Sequence, residues 1–278
     1  MSAHTAATQL TFLGKLIVEG DLVCETGLHI GAGKGSLEIG GADNPVVKDS
    51  WGRPYVPGSS LKGRLRSLLE QASGLAVPAE MVYLSKRRGQ EVRIHQSNRP
   101  DDEICLLFGR SPSRLERVAG EGQGGESAAT PARLTVCDAP LQIESITPQM
   151  RENQDDELTE VKSETAIDRI TSQSSSRTLE RVPAGAKFGV RMILDVLCEE
   201  DKALAAKLAE GLRLLEDDTL GGGGSRGSGR VKVAGLKMAW RGKGYYSAGQ
   251  PEQILVEGAG AAELQQAVAA DDFGGKLA

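Results

Sequence analysis

The stretch AKFGVRMILDVLCEEDKALAAKLAEGLRLLEDDTLGGGGSRGSGRVKVAGLKMAW, residues 186–240, decides the fold. It opens with strict alternation of apolar residues, at Phe188, Val190, Met192, Leu194 and Val196. That alternation predicts a strand with one buried face. Leucines then recur at helical spacing and predict an amphipathic helix, at Leu204, Leu208, Leu212 and Leu215. A last strand is predicted from about Val231 to Trp240, with a bulge near Gly235.

The N-terminal part of the chain has the same order of elements. Residues 14–25 are rich in Leu, Ile and Val and predict a first strand. A long loop dense in Gly, Pro, Asn and Asp follows, and long structured loops inside domains are usually functional. A helix is predicted to begin near Ser59 or Ser60, either of which can act as its N-cap, and to end at Gly74. Its buried face is predicted at Leu61, Leu65, Leu68, Leu69 and Ala72.

With a further strand near residues 133–137, the order becomes strand, helix, strand, strand, helix, strand. This order predicts an α+β fold with a ferredoxin-like (RRM-like) core, which is a common RNA-binding architecture. One domain is expected over residues 1–278, made of this core (about 14–74, 133–145 and 185–245), an insertion (about 75–132), a polar arm (about 146–184) and a tail (246–278). The insertion contains a low-complexity segment at 119–132. The tail is expected to hold one short helix and to contribute least.

The charge pattern favours one anion-binding face on an otherwise acidic chain. The net charge is -5 and the sequence pI is about 5.4, which argues against a general nucleic-acid binder. However, Arg53–Leu69 has four basic residues and no acid, and Thr219–Pro251 has six basic residues and no acid. Two such stretches favour a single polyanion-binding surface. Aromatic residues make up only 4% of the chain, which argues against RNA binding by a series of stacked aromatic rings.

Several classes of protein are disfavoured by what the sequence contains. The first ten residues have neither a basic region nor an apolar run typical of a signal peptide, and no apolar run has transmembrane length. The four cysteines lie far apart, which is typical of reduced thiols, so a cytoplasmic protein with no membrane partner is expected. With three histidines, a dedicated zinc site is not expected.

The glycine-rich segment 220–230, LGGGGSRGSGR, is a candidate phosphate-binding loop. Successive glycines allow backbone N–H groups to approach a phosphate, and Arg226 and Arg230 add positive charge. A nucleotide-binding P-loop is disfavoured, because it needs a strand before the loop and a helix after it, and here that order is reversed. A flexible linker remains an alternative reading of the glycines.

Two further segments are candidates for chemistry. The helix start Pro57–Arg64 could hold a phosphate near its N-terminus, or could be a capped helix with a solvated basic face. The segment GGADNP, residues 40–45, presents the carboxylate of Asp43 from a loop. Asp43 could instead cap its own turn. A lone carboxylate could suffice for RNA cleavage, because RNA carries its own nucleophile in the 2′-hydroxyl group.

Four segments in order resemble the backbone subunit of type III-A (Csm) CRISPR effector complexes, in the RAMP superfamily. They are ETGLHIGAGKGSLEIGGADNPVVKD (25–49), GRPYVPGSSLKGRLR (52–66), TEVKSETAIDRITSQSSSRTLERVPAGAKF (159–188) and LGGGGSRGSGRV (220–231). The resemblance covers most of residues 14–240. Residues 75–130 and the tail are not covered well.

The resemblance implies a palm with a thumb hairpin at about 146–184. It also implies that copies of the chain stack in a filament along a CRISPR guide RNA, together with other type III subunits, and that guide-paired target RNA is cut. The implied catalytic residue and metal ligand is Asp43, with Mg2+ or another divalent cation. The implied RNA-binding residues are His29, Ser60, Lys62, Arg64, Arg66, Lys162, Arg169, Arg181, Ser225, Arg226 and Gly227.

Alternative functions remain open beside the one that the resemblance implies. The chain could be a non-catalytic RNA-binding scaffold subunit of the same kind of complex. It could also be a CRISPR repeat-processing endoribonuclease, a class that shares the glycine-rich loop and usually relies on histidine, here His29. A nucleotide-binding enzyme is the most distant alternative.

Overall fold

The computed structural model describes residues 11–32, 42–87, 90–97, 99–110, 130–152 and 158–277. The strands are β1 (Gly14–Cys24), β2 (Tyr55–Val56), β3 (Met81–Arg87), β4 (Gln90–His95), β5 (Leu134–Val136), β6 (Ala139–Pro140), β7 (Glu160–Ile167), β8 (Ser174–Arg181), β9 (Lys187–Val196), β10 (Val231–Gly242) and β11 (Gln253–Ala259). The helices are α1 (Gly58–Ala72), α2 (Glu103–Phe108), α3 (Pro148–Glu152), α4 (Leu204–Glu216), α5 (Lys243–Ala248) and α6 (Ala261–Val268). Most of the low-complexity segment 119–132 lies outside the described residues, as do Gly40 and Gly41.

Five strands form the main sheet, in the order β11-β10-β1-β9-β5, and every neighbouring pair is antiparallel. β1 lies in the middle, where Leu16 pairs with Trp240 of β10 on one side and with Leu194 of β9 on the other. The first strand of the chain is therefore held by two strands from its C-terminal half. The protein is α+β with a main antiparallel sheet, as the sequence predicts.

The strand and the helix that the two apolar patterns of residues 186–240 predict form part of the core. Burial alternates along β9, and all five of its predicted core residues are buried. The four leucines of α4 are also buried, at Leu204, Leu208, Leu212 and Leu215. α4 packs against α1, α6 and β10, so the helices and the sheet share one hydrophobic cluster.

The predicted bulge in β10 is confirmed. Glu19 of β1 pairs with Lys237 of β10, and Asp21 of β1 pairs with Ala234 of β10. β10 therefore has one more residue than β1 between these two pairs, which shifts the register. Gly235 lies at this shift and has a φ of 59°, in the left-handed region that glycine adopts without a steric penalty.

The predicted N-cap of α1 is wrong. The helix begins at Gly58, its N-cap position is Pro57, and no side chain of the N-cap residue bonds to the first turn. Instead, the backbone N–H of Gly58 donates a hydrogen bond of 2.7 Å to Oδ1 of Asp138, which follows β5. A residue 80 positions away thus satisfies a free N–H of the first turn, and neither Ser59 nor Ser60 does so.

The buried face and the end of α1 agree with the sequence, except at one position. The buried leucines are Leu61, Leu65, Leu68 and Leu69. Ala72 is exposed, because the helix ends at this residue. Gly74 follows with a φ of 68° and stops the helix, as predicted.

The insertion contributes a hairpin and a helix. β3 and β4 pair as an antiparallel hairpin. α2 packs against α1 and α4 and adds four buried residues to the fold, Ile104, Cys105, Leu107 and Phe108. Part of the insertion therefore belongs to the core.

The tail contributes more than the sequence indicated. β11 extends the main sheet beside β10, and α6 packs against α4. Leu264 of α6 is completely buried, and Phe273 and Leu277 beyond it are nearly so. The expectation that the tail contributes least is wrong, because this segment completes one edge of the core.

The polar arm contains the β7–β8 hairpin, which runs in register from Glu160 opposite Arg181 to Ile167 opposite Ser174. Its side chains are mostly exposed, and burial is confined to the end nearest the main sheet. Ile170, in the turn, is 93% exposed. The hairpin therefore projects from the body of the protein.

The helices of the described ranges are short. The longest of them, α1, has 15 residues. None combines the length and the hydropathy that crossing a bilayer requires.

Candidate functional site

The carboxylate of Asp43 is bonded to the β7–β8 hairpin. Its Oδ2 accepts a hydrogen bond of 2.7 Å from the backbone N–H of Thr178 and one of 3.0 Å from the Thr178 hydroxyl group. The backbone N–H of Asp43 donates to the same hydroxyl oxygen at 2.9 Å, and Nδ2 of Asn44 donates to the Thr178 carbonyl at 3.2 Å. The Asp43 loop, residues 42–48, is therefore attached to β8. The two bonds of the carboxylate join it to this strand and not to the turn of its own loop.

These contacts leave a charged group with a free oxygen. The backbone N–H of Thr178, and to a smaller extent its hydroxyl group, hold the pKa of Asp43 below its usual value. Asp43 is exposed and is ionised at neutral pH. Among the described residues, none donates a hydrogen bond to its Oδ1. A fixed carboxylate of this kind can accept a proton or contact a cation.

A buried carboxylate, Glu180, holds the Asp43 loop against the hairpin. Its Oε2 accepts from the backbone N–H of Val46 at 2.8 Å, and its Oε1 accepts from the Thr159 hydroxyl at 2.7 Å. Lys48 Nζ lies 2.8 Å from the same Oε1. The backbone N–H of Glu180 donates to the carbonyl of Asn44 at 3.0 Å. Sequence reasoning missed Glu180, because a glutamate in a polar arm carries no local signal of burial.

His29 lies between the hairpin and the glycine-rich loop, Leu220–Arg230. Its Nδ1 is 2.8 Å from the carbonyl oxygen of Glu180, and its side chain is buried. The backbone N–H of Gly222 donates to the His29 carbonyl at 2.8 Å. Gly221 has a φ of 78°, and a Cβ there would lie 2.2 Å from the His29 oxygen. The close approach of this loop to His29 thus requires glycine.

Charged residues connect the glycine-rich loop to the hairpin. Arg226 Nε lies 3.1 Å from Oε1 of Glu164 on β7, and Lys162 Nζ donates to the Arg226 carbonyl at 3.2 Å. Arg177 on β8 is 2.8 Å from the other oxygen of Glu164. Hydrogen bonds from Arg177 first, and then from Arg226, hold the pKa of Glu164 below its usual value. Three cations therefore surround one carboxylate at this junction.

Other predicted RNA-binding residues lie at the same junction. Arg181 forms an ion pair with Glu160 and donates to the Ser228 hydroxyl at 3.2 Å. Ser225 and Gly227 are exposed in a short helical turn of the glycine-rich loop. The structure thus brings His29, the Asp43 loop, the hairpin base and the glycine-rich loop together.

Two basic residues of α1 are bonded elsewhere within the chain. Lys62 Nζ donates to the carbonyl of Leu134 at 2.6 Å, and burial, followed by the nearby charge of Arg66, lowers the pKa of Lys62. Arg66 Nε is 2.7 Å from Oε1 of Glu70, and the guanidinium is largely buried. These two side chains have structural contacts, and their predicted RNA contacts stay a prediction.

The remaining predicted residues are more scattered. Arg64 of α1 forms an ion pair with Asp218, which precedes the glycine-rich loop. Ser60 is half-buried in the first turn of α1. Arg169 is exposed in the turn of the hairpin, far along the strands from its base. Arg64 therefore connects α1 to the glycine-rich loop, whereas Arg169 lies at the opposite end of the hairpin.

A second titratable cluster lies away from Asp43. His95, Asp102 and Cys105 place their ligand atoms within 4.8 Å of one another, and all three are buried. His95 Nε2 lies 2.8 Å from Asp102 Oδ2, and His95 Nδ1 lies 3.1 Å from the Glu80 carbonyl. The imidazole nitrogens are thus engaged by oxygen atoms of the protein. The sequence did not single out this cluster, because its members are spaced unlike the usual zinc motifs.

The family model of the RAMP superfamily matches residues 21–232. The chain is 40% identical over 245 residues to "CRISPR system Cms endoribonuclease Csm3" of Methanocaldococcus jannaschii, covering 85% of this chain and 86% of the relative. The protein of the same name from Mycobacterium tuberculosis is 35% identical over 249 residues, covering 82% of this chain and 89% of the relative.

Solved structures agree with this relationship. A chain in the crystal structure of a Csm3–Csm4 subcomplex of the type III-A CRISPR-Cas interference complex matches with a TM-score of 0.55 and 30% identity, covering 93% of this chain and 97% of that one. The crystal structure of Methanopyrus kandleri Csm3 matches with a TM-score of 0.55 and 25% identity, covering 86% of this chain and 80% of that one. The chain therefore belongs to the RAMP superfamily and, within it, to the Csm3 family.

Proposed function

We propose that this chain is an RNA-binding endoribonuclease subunit of a type III CRISPR effector complex, and that it cuts guide-paired target RNA beside Asp43. The observation that carries this proposal is the Asp43 carboxylate, which is fixed by Thr178, is ionised and, among the described residues, has no hydrogen-bond donor at Oδ1. Its proposed partners are a guide RNA, a target RNA, copies of itself in a filament and other subunits of the complex. Relatives named as endoribonucleases support the activity. The four free cysteines support a cytoplasmic location.

The fold supports separate roles for the main sheet and for the β7–β8 hairpin in this proposal. We propose that β10-β1-β9-β5, with α1 and α4, form a ferredoxin-like palm, for which the strand order is the support. We propose that the projecting β7–β8 hairpin is the thumb. In this arrangement the Asp43 loop lies where the thumb leaves the palm, so a target strand displaced by the thumb would pass the carboxylate.

Asp43 would act on the 2′-hydroxyl group of the target RNA. RNA cleavage requires that hydroxyl group to lose its proton and to attack the adjacent phosphorus, with expulsion of the 5′-oxygen. An ionised Oδ1 can accept the proton, and the Thr178 hydrogen bonds keep the carboxylate in one orientation. The cations at the hairpin base would neutralise the phosphates on either side.

The donor set at Asp43 fits a divalent cation that is held mainly by RNA. Mg2+ usually binds one or two carboxylates together with phosphates and water. Within the described ranges, Asp43 has one oxygen without a hydrogen-bond donor and belongs to no group of three or more potential ligands. Asp43 would therefore supply Oδ1 as one ligand, in which case Oδ1 would not also accept the proton, and the cation when bound would stabilise charge on the reacting phosphate.

RNA binding is proposed at the junction of the hairpin and the glycine-rich loop. Arg226 and Arg177 are 52% and 56% exposed although both contact Glu164, so phosphate oxygens can still reach them. The exposed Ser225 adds a backbone N–H group near these cations, whereas the N–H of Gly227 donates to the Gly224 carbonyl at 3.0 Å. One basic groove of this kind is compatible with the net charge of -5.

The alternatives differ in the support that they have. A repeat-processing ribonuclease would need an accessible histidine, but His29 is buried and its Nδ1 contacts Glu180. A non-catalytic scaffold subunit would use the same basic junction and would differ only in having no role for Asp43. The catalytic subunit and the scaffold subunit therefore differ in whether Asp43 takes part in cleavage.

The test replaces Asp43 with asparagine in the complex assembled from this chain, guide RNA and partner subunits. Loss of a catalytic base is expected to slow target cleavage by about 10²–10⁴-fold. Target binding is expected to be unchanged, because a carboxylate adds nothing to phosphate affinity. Asp272→Asn is the matched control, since Asp272 is another exposed aspartate with a lowered pKa, paired to Lys276 in the tail. Cleavage at the original rate by Asp43→Asn would favour the scaffold reading.

A further inference from the structure

Among the described residues that flank the Asp43 loop, Trp51 is the most exposed large apolar side chain. It is 76% exposed, whereas the other tryptophan, Trp240, is 4% exposed in the core. Single exposed apolar residues are common and need no explanation by themselves. The surroundings of Trp51, however, hold the ring in place.

The turn that carries Trp51 is built around Asp49. Asp49 Oδ1 accepts from the backbone N–H groups of Trp51 and Arg53, both at 2.9 Å. The backbone N–H of Asp49 donates to the Arg53 carbonyl at 2.8 Å, and that of Gly52 donates to the Asp49 carbonyl at 3.0 Å. Gly52 has a φ of 76°, which closes the turn. The backbone under Trp51 is therefore fixed in one conformation.

One face of the indole ring is covered by Arg53. The guanidinium carbon lies 4.8 Å from the ring centroid, within the range of a cation–π interaction. Arg53 is itself oriented by Asp49 Oδ2, 3.1 Å from its Nε. Because the ring is 76% exposed while one face is covered, its other face is open to solvent.

The turn is attached to the proposed RNA site. Lys48, at one end of the turn, forms an isolated bridge with Pro54 and contacts the buried Glu180. Trp51 is three residues from Lys48, which is at most about 11 Å of chain. The turn thus continues directly from the Asp43 loop toward the start of α1.

We propose that the open face of Trp51 stacks on one nucleobase of single-stranded RNA beside the Asp43 site. This inference rests on the proposed function and adds a base contact to it. A protein interface buries a contiguous apolar patch, but the residues flanking Trp51 in the turn are Asp49, Ser50, Gly52 and Arg53. Base stacking needs only one ring face and is tolerant of sequence. A chain poor in aromatic residues can therefore bind RNA mainly through phosphates and add a single stacked base.

The test uses the full chain at low salt and the fluorescence of its two tryptophans. The probe is a single-stranded oligoadenylate of about twelve nucleotides, within the range of known single-strand site sizes. An abasic oligomer of the same length is the matched control. We expect oligoadenylate to quench the emission, the abasic oligomer to leave it unchanged, and Trp51→Phe to abolish the response. The buried Trp240 remains in that variant as an internal reference.

Affinity is measured in parallel by the anisotropy of labelled oligoadenylate. Trp51→Ala is expected to bind about tenfold more weakly and Trp51→Phe less than threefold, roughly the effect of losing or keeping one stacked ring. The salt dependence should be equal in all three proteins, because no phosphate contact changes. Binding without quenching, equal quenching by the abasic oligomer, or unchanged affinity of Trp51→Ala would overturn the inference and leave the proposed function intact.

Two other outcomes have distinct meanings. If the emission of Trp51 changes with protein concentration in the absence of RNA, the ring contacts a second copy of the chain and the stacking inference is wrong. If the full chain binds neither oligomer and the assembled complex does not bind a target RNA complementary to its guide, the proposed function fails together with this inference.

Discussion

Replacing His95 with alanine is expected to destabilise the protein, because it breaks a buried ion pair. His95 is completely buried and Asp102 is 6% exposed. Burial lowers the pKa of His95, but the hydrogen bond to Asp102 and contact with Cys105 outweigh it and raise the value from 6.5 to about 10. Both ring nitrogens face oxygen atoms, so the protonated ring can donate twice. The folded protein thus holds a charged imidazolium beside a charged carboxylate.

The loss in free energy of unfolding follows from the Asp102 charge that His95→Ala leaves buried without its partner. Removal of one partner of a buried pair typically costs about 3–5 kcal/mol, since the other charge remains buried. Asp102 would keep a hydrogen bond of 2.9 Å from the Cys105 N–H and a contact of 3.4 Å from Arg99. We therefore expect the lower end of that range, about 3 kcal/mol, out of a total of about 5–15 kcal/mol for a typical protein.

The pH dependence has a definite sign. The pKa of His95 is raised on folding, so its contribution is complete below pH 6.5 and is lost as the pH rises through about 10. Burial raises the pKa of Asp102, but the His95 hydrogen bond outweighs it, and the pKa lies well below its usual 3.8. The contribution of Asp102 is therefore present above pH 3.8 and is lost only as the pH falls through that lower value. The pair stabilises most at about pH 4–6.5.

The assay is urea denaturation of the parent chain and variants at pH 6 and at pH 10. The destabilisation by His95→Ala should be about 3 kcal/mol at pH 6 and clearly smaller at pH 10. In a double-mutant cycle with Asp102→Asn, the coupling should reach about 1 kcal/mol or more, as for residues in contact. Arg99→Ala is the control, because this side chain is 65% exposed and should contribute about 0–1 kcal/mol. A loss by His95→Ala that is below about 1 kcal/mol, or equal at both pH values, would refute the reasoning.

Three further predictions address other parts of the molecule. Leu264→Ala, at a completely buried position of α6, should lower the free energy of unfolding in urea by about 2–5 kcal/mol. Ile254→Ala, at a 42% exposed position of β11, should lower it clearly less, and equal effects would contradict a core role for the tail. Gly221→Ala should lower the melting temperature more than Gly227→Ala, because both glycines have positive φ but only Gly221 would place a Cβ against a carbonyl oxygen; the reverse order would exclude that contact. Thr178→Val removes one of two hydrogen bonds that lower the pKa of Asp43, so the acid limb of cleavage by the assembled complex should move to higher pH; an unmoved limb would mean that another group titrates there.

Local patterns in the sequence were sufficient for much of the fold. The alternation along β9 and the leucine spacing of α4 and α1 were correct, since each pattern reports which side of its own element is buried. The bulge at Gly235 was also correct, because a glycine inside a strand pattern indicates such a position. The N-cap of α1 was wrong, because Asp138 lies 80 residues away and no local pattern reports it.

The candidate site shows the same limit. The resemblance of four ordered segments indicated Asp43, but not what fixes its carboxylate. Thr178, which does so, is 135 residues away, and Glu180 had no signal in a polar arm. RNA binding by Lys62 and Arg66 stays a prediction, and no pattern in the sequence indicated their contacts within the chain, which are with Leu134, Glu70 and His95. The sequence shows that a residue of a helix is basic, but it does not show which group the side chain contacts.

The sequence alone determined the α+β class, the strand, helix and loop at residues 186–240, the glycine-rich loop and the family resemblance. These features depend on side-chain periodicity and on glycine, which act within a few residues of the chain. Only the tertiary structure decided that the tail completes the sheet, that Glu180 is buried, and that Oδ2 of Asp43 is fixed by Thr178. Each of these depends on contacts between segments far apart in the chain, and such contacts form only when the whole core closes.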